Sequence, residues 1–393
     1  MLIIAFLIRI YLFSRRKEDA TSLDIFNILQ IAITILLGAL LVIRRDTYSI
    51  IRILFKSPIG WLIILYSFGV LSGLWSSLPL FSPYFGVEGL VYMISFGVIL
   101  FWQSDNPGME RFAIYSSYLL IFLMVAGLIN MRGLSLSLLN WHTNNYSTVA
   151  AMLFGYCFGE YNNNHRDRSF EEKQMLKRGI WISLFFVALG TSSASNISLL
   201  AGLVVVILIT GKRTFKILSL LFFGVILLIN QLYGDLLFSL IFPGKEQESL
   251  GLLAGRMNLW EYYFDLIRQK PWTGWGFAAL SRISQLYNIH AHNSLIEITG
   301  GVGIIGLIFF VFYLISVYIK FLSNIRSPYL VGVVGAITAG LVNSNAISFI
   351  GAPTGGLFFA FIVWNLLGWY SLIGINSSYI EEYEDYLGNT ELP

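Results

Sequence analysis

The chain has 393 residues, of which 56% are hydrophobic and only 12% are charged, with a formal net charge of +3 at pH 7. Soluble domains carry roughly one-quarter charged residues, so the composition indicates a polytopic membrane protein. The small net charge gives no support to nucleic-acid binding. The single cysteine, Cys157, excludes a disulfide framework and a thiolate metal cluster.

Apolar segments that cross, or nearly cross, about 30 Å of hydrocarbon predict an all-α integral membrane protein with about 12 transmembrane helices. The first, at 2–13, contains Arg9 and lacks a small-residue cleavage site, so it is predicted to be a short retained span. The other predicted spans are 25–43, 60–76, 84–102, 112–130, 144–160, 179–193, 195–210, 216–233, 301–320, 328–345 and 352–372.

One integrated membrane domain is the predicted organisation, because no internal repeat indicates the inverted halves of many transporters. Its parts are N-terminal transmembrane helices over 1–233, a long loop over 234–300, C-terminal transmembrane helices over 301–372 and a tail over 373–393. The tail is acidic and is predicted to be solvated.

Basic residues predict the sidedness of the membrane domain. With the N-terminus in the cytoplasm, most arginines and lysines of the short loops face the cytoplasm, including Arg166 and Arg168, as the positive-inside rule requires. The long 234–300 loop then faces the other side, and the tail is cytoplasmic. The basic stretch at 15–17 contradicts the rule locally.

Polar chemistry is concentrated at 255–306. Residues at helical spacing predict one face of an amphipathic helix on the membrane surface, and the proline of Lys270-Pro271 predicts its end. The residues on this face are Arg256, Trp260, Tyr263 and Ile267. Glycines at 274 and 276 predict a tight turn after the helix.

His292 lies at the mouth of the next span, whose first turns are rich in glycine, so a helix or a ligand can approach the backbone closely. A neutral imidazole accepts a proton from a hydroxyl group near neutral pH, since its unperturbed pKa is about 6.5. An interfacial histidine bound to a loop is the competing interpretation. A third is a metal site shared with His290, which would need distant carboxylates such as Glu261 or Glu297.

Two further charged residues are functional candidates. The Arg256 guanidinium is a rigid fork of donors suited to phosphate oxygens, although an arginine that snorkels to headgroups is the alternative. Glu297 enters the span beyond His292, and an ionisable group at that depth is a functional candidate by default. Its alternative role is to orient a histidine.

The pattern His292-Asn293-x9-Gly303-x2-Gly306 resembles the signature of the O-antigen ligase and O-antigen polymerase superfamily. The upstream Arg256-x3-Trp260 and Pro271-Trp272-x-Gly274-x-Gly276 resemble the family's long periplasmic loop, and Leu74-Trp75-Ser76 and Asn144-Asn145 are weaker similarities. One departure concerns a Ser-Arg pair frequent in the family, which aligns here with Ser195-Asn196. Either Lys270 or Arg282 replaces that arginine, or the substrate is bound differently.

The resemblance implies a GT-C-like, inverting and metal-independent glycosyltransferase of the bacterial inner membrane, with its site facing the periplasm and without a cofactor. The donor would be a glycan on undecaprenyl diphosphate. The acceptor would be a second lipid-linked repeat unit in a polymerase, or a lipid A core sugar in a ligase. The polymerase is the favoured interpretation. A chain-length regulator is a further expected partner.

By the same resemblance, His292 would be the general base and Arg256 would bind the diphosphate. The expected substrate-binding residues are Trp260, Lys270, Arg282, His290, Asn293, Glu297, Gly303 and Gly306. The rival class is a transporter or flippase of lipid-linked sugar, which predicts charged residues along several spans. Most spans lack them, so the sequence favours surface chemistry on a lipid substrate.

Overall fold

The computed structural model describes residues 25–44, 46–102, 106–133, 143–190, 192–211, 256–283, 290–351 and 355–373. Within these ranges no side chains are described at 25–27, 106–107, 127–133 and 256–257. The predicted spans at 2–13 and 216–233, the loop residues 234–255 and most of the tail lie outside the described residues.

The described secondary structure is helical and contains no strand. In chain order the helices are α1 (Ile25–Ile43), α2 (Asp46–Lys56), α3 (Ile59–Leu71), α4 (Phe81–Trp102), α5 (Asn106–Gly133), α6 (Thr143–Tyr161), α7 (Phe170–Gly190), α8 (Ser193–Thr210), α9 (Arg256–Gln269), α10 (Leu280–Ile283), α11 (Ser294–Ser323), α12 (Leu330–Asn343) and α13 (Gly356–Ile373). The predicted all-helical fold is confirmed.

Five described helices are long and apolar enough to cross a membrane, namely α4, α5, α8, α11 and α13. The bent pair α1 and α2 makes a sixth if it forms one span, and α3 and α12 are shorter apolar helices. These helices confirm a multi-pass membrane protein. They do not confirm the predicted count of about 12 spans.

Helix α6 forms the centre of the bundle, with nearly all of its side chains buried between Asn144 and Glu160. A Cβ atom added at Gly155 would lie 2.7 Å from the backbone of Gly335 in α12, and one at Gly159 would lie 2.7 Å from Gly332. Small residues four apart permit such close helix packing in membranes. The α6–α12 contact is therefore made largely by backbone.

The two ends of the bundle differ in character. Lys320, near the end of α11, donates a hydrogen bond from Nζ to the backbone oxygen of Lys56, 2.6 Å away. We call this the basic end. The glycines near the start of α11 lie toward the other end of that helix; the last of them, Gly306, precedes Lys320 by 14 residues, about 21 Å at a rise of 1.5 Å per residue.

A buried ionic cluster lies where the 162–169 loop meets the bundle. Arg168 Nη1 donates to both carboxylate oxygens of Glu110 at 2.9 Å, and Arg168 Nη2 donates to Glu160. Each of these three side chains is at most 1% exposed. Glu160 also accepts from the Gly332 N–H at 3.0 Å, so the cluster joins α5, α6, α12 and the loop. The sequence placed Arg168 in a cytoplasmic loop and gave no sign of this burial.

Candidate functional site

Helix α11 is interrupted at Gly303, whose φ of 71° and ψ of −170° are not helical. The glycine turn, residues 271–276, fills the interruption with backbone hydrogen bonds. These bonds join Trp275 N to Gly300 O (2.9 Å), Gly276 N to Gly301 O (2.8 Å) and Ile304 N to Pro271 O (2.8 Å). The segment that approaches the glycine-rich backbone is thus part of the same chain.

The contact between the glycine turn and α11 is here called the seam. Glycine is required at several of its positions. A Cβ atom at Gly303 would lie 2.0 Å from the backbone oxygen of Trp272, and one at Gly274, whose φ is +67°, would lie 2.4 Å from that of Gly301. A Cβ atom at Gly306 would lie 2.2 Å from Val302 Cγ2 and 3.3 Å from Leu65 of α3. Gly303 and Gly306 therefore have packing roles, and their binding of substrate stays a prediction.

We expect Gly303→Ala to destabilise the protein by about 2–4 kcal/mol, because alanine is strained at positive φ and its Cβ atom would clash with backbone. The matched control is Gly38→Ala in α1, where an added Cβ atom meets only Val91 at an ordinary 3.6 Å. Thermal unfolding in detergent measures both variants. Equal transition midpoints for the two variants would contradict this account of the seam.

Helix α9 forms as the sequence predicts and ends before Lys270-Pro271. On its predicted face Tyr263 is fully buried, and Trp260 and Ile267 pack around the same small core, which includes Ala291 and Ile296. This face therefore rests on the histidine segment 290–292 and the start of α11. Arg256 is the first residue of α9, one helical turn before Trp260; its side chain lies outside the described part.

Two side chains hold the histidine segment through Ala291. The Trp260 indole N–H donates to Ala291 O at 2.8 Å, and the Ala291 N–H donates to Glu297 Oε1 at 2.8 Å. His290 Nδ1 lies 3.3 Å from the same Glu297 oxygen, a contact that becomes an ion pair when the imidazole is protonated. The contact with His290 lacks hydrogen-bond geometry, so the hydrogen bond between Glu297 and this segment is the one at the Ala291 backbone, and orientation of a histidine by Glu297 stays a prediction.

His292 follows in a left-handed conformation, with φ of 53°. Asn293 then caps α11, since its side-chain oxygen accepts from the N–H groups of Leu295 at 2.9 Å and Ile296 at 3.3 Å. The Ser294 N–H donates to Ser344 O at 2.8 Å and ties the start of α11 to the end of α12. His292 thus lies between a fixed peptide group and a capped helix.

The predicted cations Lys270 and Arg282 lie against aromatic rings. Lys270 Nζ is 4.2 Å from the centroid of the Trp275 ring, and the Arg282 guanidinium carbon is 4.2 Å from that of Phe81. Cation–π contacts of this kind hold a positive charge at a defined place. Replacement of the missing arginine by one of these two cations stays a prediction.

The Leu74-Trp75-Ser76 motif also reaches this end of the bundle. The Trp75 indole N–H donates to Thr273 O at 2.9 Å, across 198 positions in sequence. A Cβ atom at Gly276 would lie 2.0 Å from Ser76 Oγ. The resemblance marked this motif, but no pattern within the sequence predicts its contact with the glycine turn.

A neutral polar cluster surrounds Ser195, the residue that precedes the position of the missing arginine. Asn144 Oδ1 accepts from Ser192 Oγ at 2.7 Å and from Ser195 Oγ at 2.8 Å, and Asn343 Nδ2 donates to Ser195 Oγ at 3.5 Å. Asn343 precedes Ser344, which bonds to the start of α11. The cluster therefore lies at the same end of the bundle as His292, and within it Ser192 caps α8.

Within the described ranges, no three His, Cys, Asp or Glu side chains are placed to hold one metal ion. Glu261 and Glu297 were the carboxylates that a site at His290 and His292 would need. Glu297 bonds to the backbone of Ala291 instead.

The fold and this site define a polytopic helical membrane protein with a fixed histidine segment at one end. A family model for the O-antigen ligase matches residues 179–311, from α7 through the glycine turn into α11. A Rickettsia felis (strain ATCC VR-1525 / URRWXCal2) protein named "Putative polysaccharide ligase" is 30% identical over 166 residues, which cover 37% of this chain and 39% of that protein. The chain thus spans about two-fifths of the length of the relative it matches. Both matches support the O-antigen ligase superfamily, and the expected resemblance is confirmed.

Proposed function

We propose that the chain transfers a glycan from undecaprenyl diphosphate to an acceptor hydroxyl group. The observation that carries the proposal is the fixed His290–His292 segment at the start of α11, inside the region that matches the O-antigen ligase. The names of both matches favour a ligase, so transfer to a lipid A core sugar is the first candidate. Polymerisation of repeat units, which the sequence resemblance favours, is the second.

In the proposed reaction the acceptor oxygen attacks the anomeric carbon of the donor sugar from the face opposite the diphosphate. The bond between that carbon and the diphosphate oxygen breaks, its electron pair leaves with undecaprenyl diphosphate, and the configuration is inverted. His292 takes the proton of the acceptor hydroxyl. Arg256 stabilises the charge that develops on the leaving diphosphate.

The position of the basic end supports a site that faces the periplasm from the inner membrane. Lys56 and Lys320 meet at the end of the bundle opposite His292. Cytoplasmic loops are enriched in lysine and arginine, so the end that holds His292 is proposed to lie outside the cytoplasm.

The proposal is tested with purified protein in liposomes that contain undecaprenyl-diphosphate-linked repeat units, with a chelator present. A labelled glycan attached to added lipid A core supports the ligase, and a ladder of longer lipid-linked products without added core supports the polymerase. Movement of intact donor across the bilayer, with neither product, contradicts the proposal and supports the transporter. Transfer that occurs only without chelator contradicts the metal-independent mechanism.

A further inference from the structure

The two peptide groups that flank Ala291 are each held by a side chain from a different helix. The Ala291 N–H belongs to the peptide group shared with His290, and it donates to Glu297 of α11. The Ala291 carbonyl belongs to the peptide group shared with His292, and it accepts from Trp260 of α9. Ala291 itself is fully buried. We call this arrangement the Ala291 clamp.

The clamp restricts the backbone that carries both histidines. A peptide group is planar, so fixing its N–H or C=O direction limits how the attached residues are oriented. His292 has a positive φ, which costs a residue other than glycine roughly 1 kcal/mol and persists only when its surroundings impose it. The Trp260 bond immediately before His292 and the Asn293 cap immediately after it constrain the backbone on both sides of this conformation.

The Glu297 side chain is buried in the protein beside the histidine segment. Its side chain is 1% exposed, and a Cβ atom added at Gly351 would lie 2.8 Å from its Cβ atom. Glu297 Oε1 meets both the Ala291 N–H and His290 Nδ1, and Glu297 Oε2 has no hydrogen-bond partner among the described residues. The bond to Ala291 requires an acceptor oxygen, but it does not require a negative charge.

We infer that Glu297 and Trp260 are positioning residues that hold His292 in its working conformation through the Ala291 backbone, and that neither binds the substrate. This inference rests on the proposed function, in which His292 accepts the proton. It assigns Glu297 the role of a hydrogen-bond acceptor. A glutamine at position 297 keeps a carbonyl oxygen in the same place, whereas a leucine of similar size removes it.

The test compares Glu297→Gln, Glu297→Leu and Trp260→Phe in the proteoliposome assay. We expect Glu297→Gln to keep kcat within about threefold, and the other two to lower kcat about 10- to 100-fold with KM unchanged, the loss typical of a misplaced catalytic group. A Glu297→Gln variant as inactive as Glu297→Leu, or a KM that rises in either, would overturn the inference. Trp272→Phe is the matched control, because the Trp272 side chain is 64% exposed and should tolerate the change.

Hydrogen exchange at the Ala291 amide tests the clamp without relying on catalysis. Exchange should quicken in Glu297→Leu and stay slow in Glu297→Gln. If the parent chain transfers no glycan, the proposed function fails while this readout still decides the clamp; if exchange in Glu297→Leu equals that of the parent chain, the clamp fails whatever the activity. If Glu297→Leu does not fold, the kcat of Trp260→Phe tests the clamp in its place.

Discussion

Replacing His292 by alanine should lower the rate of glycan transfer by about 10²- to 10⁴-fold, the usual contribution of a general base. The acceptor hydroxyl would then have no imidazole to take its proton, while the diphosphate leaving group would be unaffected. The measurement is kcat in proteoliposomes, together with donor binding. Binding should stay within about twofold of the parent chain, because the proposed diphosphate contact is made by Arg256 and not by the imidazole.

His165→Ala is the control for this prediction. His165 lies in the 162–169 loop, beyond the end of α6 that is remote from the histidine segment, and its backbone N–H donates to Asn163 Oδ1 at 3.0 Å. Its replacement should leave kcat unchanged. A His292→Ala variant that retains more than about one-third of the parent rate would refute its assignment as the base.

Replacing Arg168 by methionine should destabilise the protein by about 3–5 kcal/mol, because it leaves Glu110 and Glu160 buried without their cation. Arg268→Met is the comparison, since Arg268 and its partner Asp265 are exposed, and a surface pair of this kind should contribute only about 0–1 kcal/mol. Thermal unfolding in detergent and the monodisperse fraction on size exclusion report the difference.

Restoration sharpens this second prediction. In the background of Arg168→Met, the neutral substitutions Glu110→Gln and Glu160→Gln should recover part of the lost stability, since the buried charges are then gone. If the triple variant is no more stable than Arg168→Met, the destabilisation comes from lost packing of the arginine and not from unpaired carboxylates.

Apolar runs and breaker residues predicted much of the helical framework. Helix α9 begins at Arg256 and ends just before Pro271, and the glycines after His292 mark the place where α11 is interrupted. Helix boundaries that fall at polar residues were harder to predict. Helix α7 begins at Phe170, whereas the apolar run predicted a span from 179. Charged residues in its first turns, such as Glu172, are helical without being apolar.

Contacts between distant segments could not be predicted, because periodicity describes one element at a time. The sequence placed Arg168 in a cytoplasmic loop and did not indicate that two carboxylates enclose its side chain. It offered two roles for Glu297, and only tertiary structure shows the Ala291 N–H against that carboxylate. Asn293 was expected to bind substrate, and its hydrogen bonds show a helix cap; binding of substrate by the predicted residues stays a prediction.

The seam between the glycine turn and α11 has a consequence for how such a protein can diverge. Its bonds join backbone atoms, so they demand glycines at 274 and 303 but make little demand on neighbouring side chains. Trp272 is largely exposed, so the bonds of the seam do not constrain its side chain. Side chains on the outer surface of the turn can therefore change while the register between the glycine turn and α11 is preserved.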